Sequence, residues 1–220
     1  MSPQKTFLVF GATGQTGRHF TTLALNDGHR VRALVRTPKK LDITDPNLEV
    51  HQGSITDNPD LDALLDALLS GVDAVVCMIG DAPLQKTQKV NTAFVRTLIP
   101  AMRRQGVTRF LYQAGGLSAA PNRRLSPVIW LIRNTVARGF IGQHRDNEAV
   151  MHYLSDEAHD IEWMAHRAGI GSDGPSKGEL ERSRTKVSVA TFGDCAAYNY
   201  RLISDASAIH SADLSAYRKK

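Results

Sequence analysis

The chain has 220 residues, of which 42% are hydrophobic and 22% charged, with a formal net charge of +5. This balance predicts a single globular domain over residues 1–220 and excludes disordered and fibrous classes. No apolar run reaches the roughly 18 residues that a spanning helix needs, and the first five residues carry no signal-peptide pattern, so no membrane partner and a cytoplasmic location are expected.

The elements follow in order. Residues 7–10 are a short continuous apolar run, the mark of a parallel strand buried on both faces. A helix is expected from about Thr13 to Asn26, ending at Gly28, then strands at 31–35 and 48–52. In the next helix Asn58 is the expected cap and Pro59 suits the first turn. Leu61, Leu64, Leu65, Leu68 and Leu69 make one apolar face, and Gly71 stops it. A fourth strand covers 74–79, a helix covers 90–105 with a kink expected at Pro100, and a fifth strand covers 109–113. Strand and helix alternating in this way predict a Rossmann-type α/β fold, a doubly wound parallel sheet in three α/β/α layers.

Beyond Gly116 the pattern is less regular. Residues 119–126 are a polar loop, 144–154 look helical and 161–165 form a sixth strand. Residues 171–183 read as a loop or flap, and a short segment at 187–190, a helix near 194–204 and a short tail complete the chain. The chain divides into a cofactor half to about residue 118 and substrate-side elements from about 119. The apolar stretch 128–132, with Val136, Phe140 and Ile141, has three readings: a pocket wall, a dimer face, or the default of core. Monomer and homodimer both stay open.

Cys77 and Cys195 are too few for a disulfide framework and suit a reducing compartment. The basic residues form no aromatic-interleaved tract and match no zinc-finger or helix-turn-helix pattern, so nucleic acid is not an expected partner. No His/Cys/Asp cluster has metal spacing, and no metal site is expected.

The loop Gly11-Ala12-Thr13-Gly14-Gln15-Thr16-Gly17 follows a strand and opens a helix. In that context Gly11 permits a tight turn, Gly14 lets backbone approach a pyrophosphate, and Gly17 allows close helix packing. Helix N–H groups then bind phosphate, with Thr13, Gln15 and Thr16 as side-chain donors. Where NAD-binding chains place an acidic residue for the ribose diol, this chain has Arg36, followed by Thr37, Lys39 and Lys40. A cation there suits a 2′-phosphate, so the expected cofactor is NADP(H).

GATGQTG, ALVR, GVDAVVCMIG and VNTAFVRTLIPAMRRQGVTRFLYQAGG resemble atypical short-chain dehydrogenase/reductases, with NmrA-like and biliverdin reductase B (flavin reductase)-like proteins as nearest kin. The resemblance covers residues 5–117 well and the rest loosely. It implies that Ser54 and Ile55 lie beside the adenine, that Ile79 and Gly80 border the cofactor ribose, and that Asn91 supports the sheet's C-terminal edge.

The Tyr-x-x-x-Lys pair of ordinary short-chain reductases is absent, since none of the five tyrosines has a lysine four residues later. Gln113-Ala114-Gly115-Gly116 stands where the family commonly has Ser or Thr, with Ser118 the nearest hydroxyl. By resemblance Glu148 occupies the lysine position and His144 the tyrosine position. Four residues apart on one helix face, they could form an acid/base dyad in which the carboxylate raises the imidazole pKa. Arg167 resembles the arginine of the family's Arg-Pro strand end, able to bind an acidic substrate or anchor a loop. His159 and His166 are expected in surface or loop roles.

The leading expectation is an NADPH-dependent oxidoreductase acting on a small aromatic or polycyclic ketone, quinone or flavin-like substrate. One alternative is an isomerase, dehydratase or cyclase using His144 and Glu148. The other is an NADP(H)-binding redox sensor of the NmrA-like kind.

Overall fold

The computed structural model describes residues 3–80 and 83–218; residues 1–2, 81–82 and 219–220 lie outside the described set. The elements are β1 (Thr6–Phe10), α1 (Gln15–Asn26), β2 (Arg30–Val35), β3 (Leu48–Gln52), α2 (Leu61–Leu69), β4 (Ala74–Cys77), α3 (Val90–Arg104) and β5 (Arg109–Gly115). There follow α4 (Pro127–Asn134), α5 (Ile141–Glu157), β6 (Glu162–Ala168), β7 (Ile170–Ser172), β8 (Leu180–Ser183), β9 (Ala190–Thr191), α6 (Phe192–Leu202) and β10 (Ser211–Tyr217).

Among the described residues, eight strands form one sheet in the order β3-β2-β1-β4-β5-β6-β10-β8, and β7 pairs with β9 separately. The main sheet is parallel except at β8, which runs antiparallel to β10. The run from β3 to β6 has the strand order of a Rossmann sheet, whose direction of winding reverses between β1 and β4.

β1 shows how residue pattern becomes layered structure. Phe7, Leu8, Val9 and Phe10 are all buried, and successive side chains enter opposite layers. Leu8 and Phe10 join the cluster containing Leu65, Phe94, Val95 and Leu98. Phe7 and Val9 join the one containing Phe20, Ala24, Cys195 and Ala196, with the Phe7 and Phe20 rings edge-on at 5.7 Å. Cys77 and Cys195 are buried, and desolvation pushes both thiols up to about 12, so they serve as small core residues.

Several boundaries differ from the sequence expectation. α2 starts at Leu61 with Asp60 as its cap residue, because Asn58 instead accepts the Asp60 N–H at 3.0 Å in a turn that leaves Pro59 outside the helix. α3 ends at Arg104, one residue earlier than expected, and has Pro100 inside it. β5 continues to Gly115 and β6 to Ala168, where they pair residue for residue. The expected flap contains β8, and the expected tail is β10, inserted between β6 and β8. Asp213 and Ser215 are buried on β10, with Arg123 and Arg182 within 3.8 Å and 3.7 Å of Asp213. A strand with small and polar buried residues lacks the apolar signature of a sheet interior.

α4 corrects the default reading of residues 128–132 as core. None of its residues is buried, and Trp130 and Leu131 are 57% and 56% exposed.

The start of α3 is held from outside its own segment. The buried carboxylate of Asp146, on α5, accepts the N–H groups of Asn91 and Thr92 at 2.9 Å each, the Thr92 hydroxyl at 2.6 Å and Gln85 Nε2 at 2.7 Å. Lys89, the local cap residue, makes no side-chain cap bond, so the distant aspartate does that work. Asn91 in turn donates from Nδ2 to the Ile79 carbonyl at 3.1 Å and to the Tyr112 hydroxyl at 2.9 Å, tying the ends of β4 and β5 together.

Candidate cofactor and substrate site

The glycine loop lies at the reversal point of the sheet. Gly11 has φ of +90°, and a Cβ built on it would stand 2.5 Å from the Met78 carbonyl oxygen. A Cβ on Gly17 would overlap the Gly11 carbonyl, so the close approach is between the helix's first turn and the loop itself. Gly14 caps α1 without any side-chain hydrogen bond. The first-turn N–H groups therefore face the site with no side-chain acceptor, a cradle that fits a dinucleotide's phosphates.

Two cavities meet there. One of about 330 Å³ is lined by Gly11, Thr13 and Gly14 with Arg36, Lys40, Ser54, Ile55, Ile79 and Gly80. The other, about 620 Å³, is lined by Gly14, Gln15, Thr16, Gly17, Ile79 and Gly80 and continues to β5, β6 and α5. Gly14, Met78, Ile79 and Gly80 belong to both, so the two form one trench across the C-terminal strand ends. All eleven residues expected to contact cofactor line this trench.

The residues expected to carry catalysis are not brought together as a dyad. Glu148 pairs with Arg133 through both carboxylate oxygens, one contact very short and the other 3.0 Å, and accepts the Ala119 N–H at 2.7 Å. No hydrogen bond joins it to His144, whose two ring nitrogens are buried without partners among the described residues. Burial and the Arg133 charge lower the His144 pKa to about 4, outweighing the opposing pull of Glu148. The carboxylate is already engaged, so the expected rise in imidazole basicity gives way to a fall. His144 still lines the larger cavity, against Gly115.

Arg167 is buried and donates to the Ser118 carbonyl at 3.0 Å, which makes it the anchor of the loop after β5. It is not among the residues lining the large cavity. His166 is a further correction, being fully buried and bonded on both ring nitrogens, while His159 is exposed as expected.

At the far end of the trench Ile129 and Ile132 fit the pocket-wall reading of residues 128–132, while the other lining residues there were not read from the sequence. Leu117, Ile129, Ile132, Ile170, Val187, Val189 and Phe192 supply apolar walls; Gln113, Gln143 and Asn147 supply polar groups. None of the lining residues of this cavity carries a formal charge at neutral pH, His144 being neutral. Ile129 and Ile132, three residues apart on α4, share the helix face that lines the cavity.

The pH response of folding follows from the two buried imidazoles. Burial holds His166, like His144, at about 4 against an ordinary 6.5. Between these values the unfolded chain binds more protons than the folded one, so stability is full above about pH 6.5 and falls as pH drops toward 4. For fully buried His166 the loss is about 3 kcal/mol by pH 4. Urea midpoints should fall steadily from pH 7 to 4.5, and His166→Gln should flatten the slope; equal midpoints at the two pH values would contradict it.

A Rossmann sheet with a glycine-loop cradle at its winding reversal defines a dinucleotide-binding protein. A family model described as NAD(P)H-binding matches residues 11–196, and the chain belongs to this family. An uncharacterised chloroplastic protein of Arabidopsis thaliana is 32% identical over 131 residues, 56% of this chain and 46% of that protein. A 3 beta-hydroxysteroid dehydrogenase/Delta 5→4-isomerase of Mycobacterium tuberculosis is 35% identical over 112 residues, 48% of this chain and 30% of that protein. These matches span less than half the length of either curated relative. An anaerobilin reductase from Escherichia coli O157:H7 shares the fold, with a TM-score of 0.74, 18% identity and 98% of each chain covered. Thus the resemblance to atypical short-chain dehydrogenase/reductases holds at the level of family and fold. Among the described residues no helix is long and apolar enough to cross a membrane.

Proposed function

We propose that the protein is an NADPH-dependent reductase of a small, uncharged, largely hydrophobic carbonyl compound such as an aromatic or polycyclic ketone or a quinone. The observation that carries this reading is the cavity of about 620 Å³, uncharged and mostly apolar, that continues from the glycine-loop cradle. When bound, the cofactor supplies a hydride. The chain's own residues bind and orient. First-turn N–H groups of α1, with Thr13, Gln15 and Thr16, would hold the pyrophosphate, while Ser54 and Ile55 would flank the adenine and Ile79 and Gly80 the ribose. Arg36 and Lys40 line the same end of the trench, and their charge supports a 2′-phosphate and hence NADP(H).

At the other end, Ile129 and Ile132 of α4 wall off water, and the loop held by Arg167 through Ser118 completes the rim. His144 is neutral near pH 7 and lines the cavity without adding charge, while the proton that completes reduction comes from water. Glu148 acts at one remove, by fixing Arg133 of α4 and the Ala119 N–H. A carboxylate already in an ion pair is poorly suited to the proton shuttling of an isomerase, which favours the reductase reading over that alternative. The hydroxysteroid in one relative's name is in keeping with a polycyclic substrate.

The test is NADPH consumption with a panel of neutral ketones and quinones beside carboxylated analogues of each. Turnover is expected with the neutral members and at least about tenfold lower kcat/KM with the charged ones, since burying an unpaired carboxylate costs several kcal/mol. Silence across the panel with NADPH bound would sink the reductase reading, and a preference for the carboxylates would sink the substrate class.

A further inference from the structure

Gln113 ends a hydrogen-bonded chain that starts deep in the sheet. Ser215 Oγ lies 2.8 Å from His166 Nε2, His166 Nδ1 lies 2.6 Å from Asn199 Oδ1, and Asn199 Nδ2 donates to Gln113 Oε1 at 2.6 Å. His166, Asn199 and Ser215 are each 0% exposed, so water does not compete for these bonds. The polarity of the chain can be worked out link by link. His166 is neutral near pH 7 and has a single ring N–H. Asn199 Oδ1 only accepts, so the hydrogen is on Nδ1, and Nε2 accepts from the Ser215 hydroxyl.

The other end of Asn199 sets the direction. Its amino group faces two acceptors, Gln113 Oε1 and, at 3.6 Å, Met78 Sδ. Turning the amide over would set a carbonyl oxygen against the thioether and leave that contact without a donor. With its carbonyl oxygen occupied, Gln113 has its Nε2 amino group left, and this donates to no described residue. Gln113 lines the cavity of about 620 Å³ beside His144 and Asn147. The chain therefore turns a side chain that could donate or accept into a donor at the cavity.

We infer that Gln113 is a carbonyl-binding residue, its Nε2–H group holding the oxygen of a neutral ketone, with Asn199, His166 and Ser215 as positioning residues that keep the donor turned outward. The assignment rests on the reductase reading for its chemistry. In the reduction a hydride from NADPH forms a C–H bond at the carbonyl carbon, and the C=O π pair moves onto oxygen. A proton from water completes the hydroxyl, leaving NADP⁺ as the oxidised product. Negative charge grows on the oxygen that Gln113 holds, so the contact strengthens toward the transition state. An amide has no proton to lose near neutral pH, which suits a site lacking a tyrosine–lysine pair.

The experiment uses the NADP⁺-loaded full chain and acetophenone labelled with ¹³C at the carbonyl, read by its infrared carbonyl band. Gln113→Glu keeps an oxygen for Asn199 and removes the donor, and Gln113→Met, of similar length, checks that result without a charge. Both should move the band to higher frequency than in the wild type, with folding unchanged by circular dichroism. Asn199→Asp should do the same although Gln113 is still present, because the glutamine amino group is then drawn back to the new carboxylate. In turnover, kcat should fall about 100-fold for Gln113→Glu, the usual cost of losing one such donor. The same band in wild type and both Gln113 variants would overturn the assignment, as would failure of the wild type to bind the ketone. A wild-type band shifted by Gln113 with no NADPH consumption would retain this residue's role and reject the reductase reading alone.

Discussion

Arg36→Glu is expected to weaken NADPH binding about 100-fold while changing NADH binding by no more than a few-fold. Arg36 follows directly after β2 and lines the smaller cavity with Lys40, Ser54 and Ile55. A hydrogen bond to a charged partner contributes about 1.5–3 kcal/mol, a factor of roughly 10–150 in affinity. Reversing the charge adds repulsion from the dianionic phosphate, which places the expected value toward the upper end. NADH carries only hydroxyls there, and a carboxylate can accept from them, so its binding need not suffer. Titration of both cofactors into both proteins decides the matter. Equal losses for NADPH and NADH would mean that Arg36 shapes the loop and does not read the phosphate.

Asp146→Ala should destabilise the fold by about 3–5 kcal/mol, read as a lowered urea midpoint. The carboxylate is 0% exposed and accepts from two backbone N–H groups, a hydroxyl and an amide. Its removal strands those donors in the interior, at about 1–3 kcal/mol for each that finds no substitute. It also withdraws a negative group from the N-terminus of α3, worth up to about 1 kcal/mol more. Asp146→Asn retains one acceptor oxygen but presents an N–H pair to donors, so it should fall between alanine and wild type. A loss below about 1 kcal/mol in Asp146→Ala would show that water replaces the carboxylate.

The residues that were legible in advance share a physical property: their meaning is local. Gly11, Gly14 and Gly17 act within one turn, where a Cβ would meet the neighbouring carbonyls. Arg36 follows directly after a strand that simple alternation predicts. Phe7–Phe10 and the leucines of α2 carry periodicities that report burial directly. His144 and Glu148 were correctly placed on one helix. Their chemistry, however, depends on Arg133, fifteen positions before Glu148 across an irregular segment, and no spacing rule connects them. Asp146 is similar, since a polar residue within α5 gives no local sign of capping α3. Gln113 looked like a departure from the family pattern, and only its bond to Asn199, 86 positions away, gives that departure a direction.

The amino-acid sequence by itself therefore determined the alternating strands and helices of a Rossmann-type sheet, the glycine-loop cradle and the basic end of the trench. Each of these is written in turn chemistry and apolar periodicity that act over a few residues. Tertiary structure alone decided the placement of β10, the exposure of α4, the pairing of Glu148 with Arg133 and the bond between Asn199 and Gln113. Those features depend on which polar groups meet after the chain has packed, and burial then sets their protonation and hydrogen-bond direction.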